Sequence, residues 1–535
     1  MSENLFISQN PSNSQEEQIE SKFQNRHELL FNKENFSQII EDSMNKELSL
    51  GKSFRETIFI QKRLKQKRDK DSNNANSYKI IDKLTISREL YDKCNSMNVT
   101  IEHLKEIFIA FNSNDIEQKY RGLVGLRKIL CMNNSPIQLI LDMNILPNII
   151  QLLDNSPVEF IYEALWCLIN ISAGSENQVN KIKYLGGIDK IIELLDHNMN
   201  EIKDLAIWNI ESFCLDSPKI KNYFLHKKVL NKIITILSVN NDENIIMRCL
   251  CVIKNLIKNY ENNIEEGKVN LTKIVNLVSK AIISIKYNKE NKDIRELYYN
   301  CLYILSYLSE KLNECKNALL ENGVLPSIIE LIRKTNDDND LFIVLGCLKI
   351  MGNIIAGNAN QTQKLLDYNI YDILKKFMFH QNKRIKKEIN WIVSNIAAGT
   401  ERNIMDLIDN GFFPLICQIF KNENKDIKIE AIWTLCNFSQ IKNNDYIKIL
   451  LNQGLLEVIC ECLKSEESKD VAISLEALYN LLEFGQKNSS DGNNFIAFQI
   501  EKMGLITVLE NLQFHRNETI YEKALKLIET FFSYE

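Results

Sequence analysis

EALWCLINISAG at 163–174, INWIVSNIAAGT at 389–400 and EAIWTLCNFS at 430–439 share one pattern: an indole, an amide four residues later and a mostly apolar remainder. No helix breaker interrupts any of them before the small residues at the end, so each reads as one buried helix. On a helix, residues i and i+4 lie one above the other. Trp166 and Asn170, Trp391 and Asn395, and Trp433 and Asn437 therefore share faces. A fourth stretch, LAIWNIESFCLDSP at 205–218, has its indole at Trp208 but Ser212 at the amide position.

The spacing makes this pattern a repeat. Trp166 and Trp208 are 42 residues apart, as are Trp391 and Trp433. The 183 residues from Trp208 to Trp391 span about four periods of ~40–47 residues, the range of armadillo and HEAT arrays. Matching helices fill the gap: MRCLCVIKNLIKN (247–259), YYNCLYILSYLSE (298–310) and LGCLKIMGNIIAG (345–357), with SLEALYNLLEFG (474–485) further on. Between them recurs a small or polar residue followed by a second apolar helix, as in NILPNIIQLL (144–153), GGIDKIIELL (186–195) and NGFFPLICQIF (410–420). With a first unit at about 115–153 and a last at 487–535, the count is ten. One unit cannot bury its own apolar faces, so neighbours must stack into a continuous core. The expectation is an all-α, right-handed superhelical solenoid of about ten repeats over residues 79–535.

Residues 1–78 are different. They are polar, rich in Asn, Ser, Gln and Lys, and end in DSNNANS, the texture of a disordered arm. Within it, 51–70 carries eight basic residues against Glu56 and Asp69, a charge of +6 that leaves −11 on the rest of a −5 chain. A basic arm on an acidic body predicts an acidic surface for it, on a partner or on its own body. The N-terminus has no basic-then-apolar leader, and no apolar run reaches the ~18 residues of a membrane span. The reading is a soluble, intracellular chain. Thirteen cysteines lie mostly in apolar helices; the C-x-C pairs Cys249/Cys251 and Cys460/Cys462 lack the further ligands of a zinc site. Buried thiols are the expectation, with no metal. The six histidines (27, 103, 197, 226, 380 and 515) are dispersed and no phosphate-cradling glycine loop occurs, so no enzyme is read here. Glu388 and Glu430 could pass for an acid/base pair, but one repeat apart they stand about 10 Å from each other, and charge recognition suits them better.

A single WxxxN means little: the indole packs between repeats and the amide caps a turn. Three in register point instead to a ladder of indoles beside a ladder of amides along one surface. Amides can donate to and accept from an extended backbone laid on them, and neighbouring indoles can hold the stems of Lys or Arg.

EALWCLINISAGS (163–175), CLYILSYLSE (301–310), LKIMGNIIAGNANQTQ (348–363), KKEINWIVSNIAAGT (386–400), IEAIWTLCNFS (429–439) and NETIYEKALKLIETFF (517–532) resemble, in order, the second, fifth, sixth, seventh, eighth and closing repeats of the importin-α family. The resemblance covers 115–535 and implies an armadillo solenoid that binds nuclear localisation signals, with no cofactor and no direct nucleic-acid contact. It implies a major signal-binding stretch at Trp166, Asn170, Gly174, Trp208, Asp216 and Asn255. It implies a minor stretch at Lys349, Asn353, Glu388, Trp391, Asn395, Glu430, Trp433 and Asn437, continued by Asn480. RETIFIQKRLKQKRD (55–69) loosely resembles the family's importin-β-binding segment, through Arg55, Lys62, Arg63, Lys65, Lys67 and Arg68. A solvated basic helix or a nucleic-acid-binding tail remains the alternative for that arm.

Three departures fall in the major stretch. Ser212 replaces an asparagine, Cys251 a tryptophan and Val179 a threonine of the family pattern. The resemblance thus implies an import adaptor, shuttling between cytoplasm and nucleus, with altered recognition at the major stretch. Its implied partners are basic cargo, an importin-β carrier and an export receptor. The alternative is an armadillo scaffold no longer acting in import.

Overall fold

One backbone conformation recurs at the same point of unit after unit. In the computed structural model, Gly186, Gly323, Gly411, Gly454 and Gly504 lie in the left-handed region, with φ between 68° and 94°, and Asn144, Lys228 and Asn369 occupy equivalent turns at φ of 55°, 57° and 51°. Each lies between one short helix and a second; glycine and asparagine tolerate this conformation best. This is the physical basis of the small or polar residue that precedes each apolar helix in the sequence.

The structure describes residues 88–132, 134–216, 218–258, 269–335, 340–489 and 494–532, and among them every element is a helix. Ten are long third helices of repeats, numbered here by repeat. They are α1 (Ile116–Leu130), α2 (Val158–Ser172), α3 (Asn200–Asp216), α4 (Glu243–Ile257), α5 (Lys292–Lys311), α6 (Leu341–Ile355), α7 (Lys383–Ala397), α8 (Lys425–Phe438), α9 (Ser468–Lys487) and α10 (Glu518–Phe531). Short helices precede each, such as Glu401–Asp409 and Phe412–Asn422 before α8. Asx side chains start several long helices by accepting from the first turn: Asp115 from the Gln118 amide, Asn382 from that of Arg384, and Asn517 from that of Thr519. The first repeat begins earlier than the sequence reading of 115, because helices Arg88–Ser96 and Leu104–Phe111 precede α1. The former is too short and polar to declare a period.

The chain divides into two compact units, at residue 304 within α5. In residues 88–304, α1 packs on α2, α2 on α3 and α3 on α4. In residues 305–532, α6 packs on α7, and so on in order to α10. A long helix with neighbours on both sides is apolar nearly all round, and α2 accordingly buries Leu165, Cys167, Leu168, Ile169 and Ile171 completely. Each such Leu or Ile contributes about 1.5–3 kcal/mol. Charges also cross between repeats: Arg127 of α1 pairs with buried Glu163 of α2, and Arg248 of α4 with Asp204 of α3. All thirteen cysteines are described and unbridged, eleven of them buried. No helix among the described residues is long and apolar enough to cross a membrane.

Candidate functional site

In residues 88–304 the expected ladder is closed on itself. Trp166 and Trp208 meet edge to face, ring centroids 5.1 Å apart, the geometry aromatic quadrupoles favour. The rings are 6% and 2% exposed respectively. Trp208 is also covered by the Arg248 guanidinium, 4.1 Å from the ring centroid. Asn170 donates to Cys131 Sγ at 3.1 Å, while its buried Oδ1 has no partner among the described residues.

The departures have local consequences. Ser212 pairs with Ser172 of α2 at 2.6 Å, a buried tie between repeats in place of an amide. Cys251 accepts from buried Asn300 at 3.0 Å. Val179 is buried, whereas Thr362, at the equivalent place in the seventh repeat, donates to the Ile355 carbonyl at 2.9 Å. Asn255 is half-buried on α4. Asp216 is the last residue of α3, and its side chain lies outside the described residues.

Gly174 has a structural reason to be glycine. Gln178 folds back to accept from the Ser175 amide at 2.9 Å, and a Cβ on Gly174 would lie 2.0 Å from that Gln178 oxygen. Gly357 with Gln361 and Gly399 with Asn403 repeat the device. The signal was in the sequence, as glycine followed four residues later by Gln or Asn, and the sequence reading missed it.

Residues 305–532 bring the remaining predicted residues together in one register. Lys349 of α6 lies 5.2 Å from the Trp391 ring centroid and 3.7 Å from Glu388 of α7. Glu388 keeps its other oxygen, Oε1, buried and without a partner among the described residues. Burial pushes the nearby Glu310 carboxyl above the ordinary range, with Lys349 opposing the shift and Glu388 adding to it. Burial also lowers Lys316, against the pull of Glu310. Glu310 and Glu388 thus share one partly buried charge cluster with Lys349, Lys311 and Lys316.

Asn353 donates to the Ser306 carbonyl at 2.9 Å and to Ser309 Oγ at 3.0 Å, which ties α6 to the preceding repeat. Asn395 donates to the Trp391 carbonyl at 2.8 Å within its own helix. Glu430 accepts from Ser394 at 2.7 Å. Asn437 accepts from Gln440 at 3.2 Å and has a buried Nδ2 without a partner among the described residues. Asn480 donates to Ser439 Oγ at 3.2 Å. Trp433 is half-buried, the most exposed of the four indoles. The sequence reading also missed Gly352, on which the Trp391 ring is seated: a Cβ there would lie 2.5 Å from Trp391 Cζ3. Arg55, Lys62, Arg63, Lys65, Lys67 and Arg68 lie outside the described residues.

Two short helices and a long one in nine of the ten repeats among the described residues, with long helix stacked on long helix within each unit, define an armadillo-repeat protein. Residues 494–535 match the family described as Atypical Arm repeat. A crystal structure of an engineered protein shares the fold, with a TM-score of 0.60 at 18% identity over 82% of this chain and 100% of that one. Among natural relatives, Importin subunit alpha-3 of Arabidopsis thaliana is 31% identical over 448 residues, 82% of this chain and 81% of that protein. Importin subunit alpha-1b of Oryza sativa subsp. japonica is 26% identical over 82% of this chain and 80% of its own length. The chain belongs to the importin-α family.

Proposed function

We propose that this chain is a nuclear import adaptor that takes a Lys/Arg-rich localisation signal along α6 to α9. The observation that carries the reading is the register in residues 305–532: Glu388, Trp391 and Asn395 recur as Glu430, Trp433 and Asn437 one repeat later. Unspent hydrogen-bonding capacity at Glu388 Oε1 and Asn437 Nδ2 supports it, since a buried polar atom without a partner is costly until a ligand satisfies it.

Family membership supports the other half of the role, in which residues 51–70 engage an importin-β carrier, an export receptor returns the adaptor, and the protein shuttles between cytoplasm and nucleus. The test is capture of a basic bipartite peptide by the full-length protein, with and without an importin-β-type carrier. Binding of both, with the carrier strengthening cargo capture, is expected. A second reading, an armadillo scaffold outside import, is favoured by the closed Trp166–Trp208 pair. Failure to bind any basic peptide would establish it over the first.

A further inference from the structure

Arg248 stands where the three tryptophan-plus-asparagine repeats hold an acid. It lies three residues before Cys251, as Glu163, Glu388 and Glu430 lie three before Trp166, Trp391 and Trp433. Its guanidinium stacks 4.1 Å from the Trp208 centroid, its Nε donates to Asp204 at 2.5 Å, and Nη1 lies 3.8 Å from Glu211. An indole face flanked by two carboxylates is the chemistry that binds a lysine or arginine side chain. Here the chain supplies that side chain itself, and it is only 7% exposed. With Trp166 also packed against it, Trp208 is only 2% exposed and has no surface left for a ligand.

We infer that Arg248 is the resident occupant of a cation site formed by Trp208, Asp204 and Glu211, and that it sets specificity by barring a basic peptide side chain from the third and fourth repeats. The inference rests on the proposed reading of the chain as a binder of basic peptides. Loss of the Cys251 indole and the Ser212 amide then follows as a consequence: a step already filled by the protein exerts no demand for a second wall. Restoring Trp at 251 would not reopen it while Arg248 stays.

The test is calorimetric titration of the full-length protein with a peptide bearing five consecutive Lys/Arg residues. The wild type should bind one peptide, and Trp433→Ala should weaken it. Arg248→Ala in that Trp433→Ala background should recover affinity at least tenfold, and adding Trp208→Ala should abolish the recovery. Arg248→Met, which keeps the apolar stem over the ring, should recover less, and thermal melting reports whether each variant is folded. No recovery in folded Arg248 variants would overturn the inference. Absence of wild-type binding would instead overturn the proposed function. An independent reading needs no variant: the Arg248 Nε–H resonance, shifted by the indole ring current, should stay in place at saturating peptide. Its displacement would show that cargo replaces Arg248.

Discussion

Gly352→Ala separates two opposing effects at the centre of the candidate site. Gly352 lies inside α6, where alanine is favoured over glycine by about 1 kcal/mol through helix propensity alone. Against this, its Cβ would sit 2.5 Å from Trp391 Cζ3 and 3.2 Å from Cε3 and from Ile392 Cγ1. Carbon atoms in contact rest ~3.5–4.0 Å apart, so the indole must retreat by about 1 Å. The ring is 8% exposed and has Lys349 over it, which leaves little room to yield, and overpacking of this kind costs about 1–3 kcal/mol. The clash should win: a net loss of about 1 kcal/mol in urea unfolding followed by helical circular dichroism. Peptide affinity should fall further than stability, because the displaced ring also disturbs the Lys349–Glu388 pair. A variant stabilised by about 1 kcal/mol, with peptide affinity unchanged, would refute the seating of Trp391 on Gly352.

The double substitution Trp391→Ala/Asn395→Ala should cost about 2 kcal/mol of basic-peptide affinity and Trp166→Ala/Asn170→Ala much less; equal losses would refute the asymmetry between the two units. Lys228→Gly should relieve a left-handed residue and raise the urea midpoint, whereas Gly411→Ala, at φ 70°, should cost about 1–2 kcal/mol; the opposite signs would show that these turns carry no strain. Because the carboxyl of Glu310 titrates above the ordinary range and a bound cation favours its ionised form, peptide affinity should rise as pH rises through that raised value. Glu310→Gln should flatten the profile, and an unchanged slope would remove Glu310 from the site. Deleting residues 1–78 should raise cargo affinity several-fold, as a tethered +6 segment competes at roughly millimolar effective concentration. The gain should shrink with salt, and equal affinities at low and high salt would show that the arm never visits the groove.

Period and stacking were legible because they are properties of one helix at a time. Apolar residues at helical spacing, a small or polar turn residue in most units and two pairs of indoles each 42 residues apart need no knowledge of partners. The site was legible only as far as it is local. Trp391 and Asn395 share a helix face whatever packs on them, but whether an indole stands open depends on side chains some 40 residues away. Trp208 is the instructive case. From sequence it is a rung of a peptide-binding ladder; in the structure it is covered by Trp166 from one repeat and Arg248 from the next. A partial signal existed. The position three before the ladder residue reads Glu163, Glu388 and Glu430 in the tryptophan-plus-asparagine repeats. Arg248 reverses that charge in the same repeat that lacks its indole. A lost rung alone would leave a weakened site. A lost rung together with a reversed charge, placed where it can reach the neighbouring rung and pair with Asp204, means that the chain has become its own ligand.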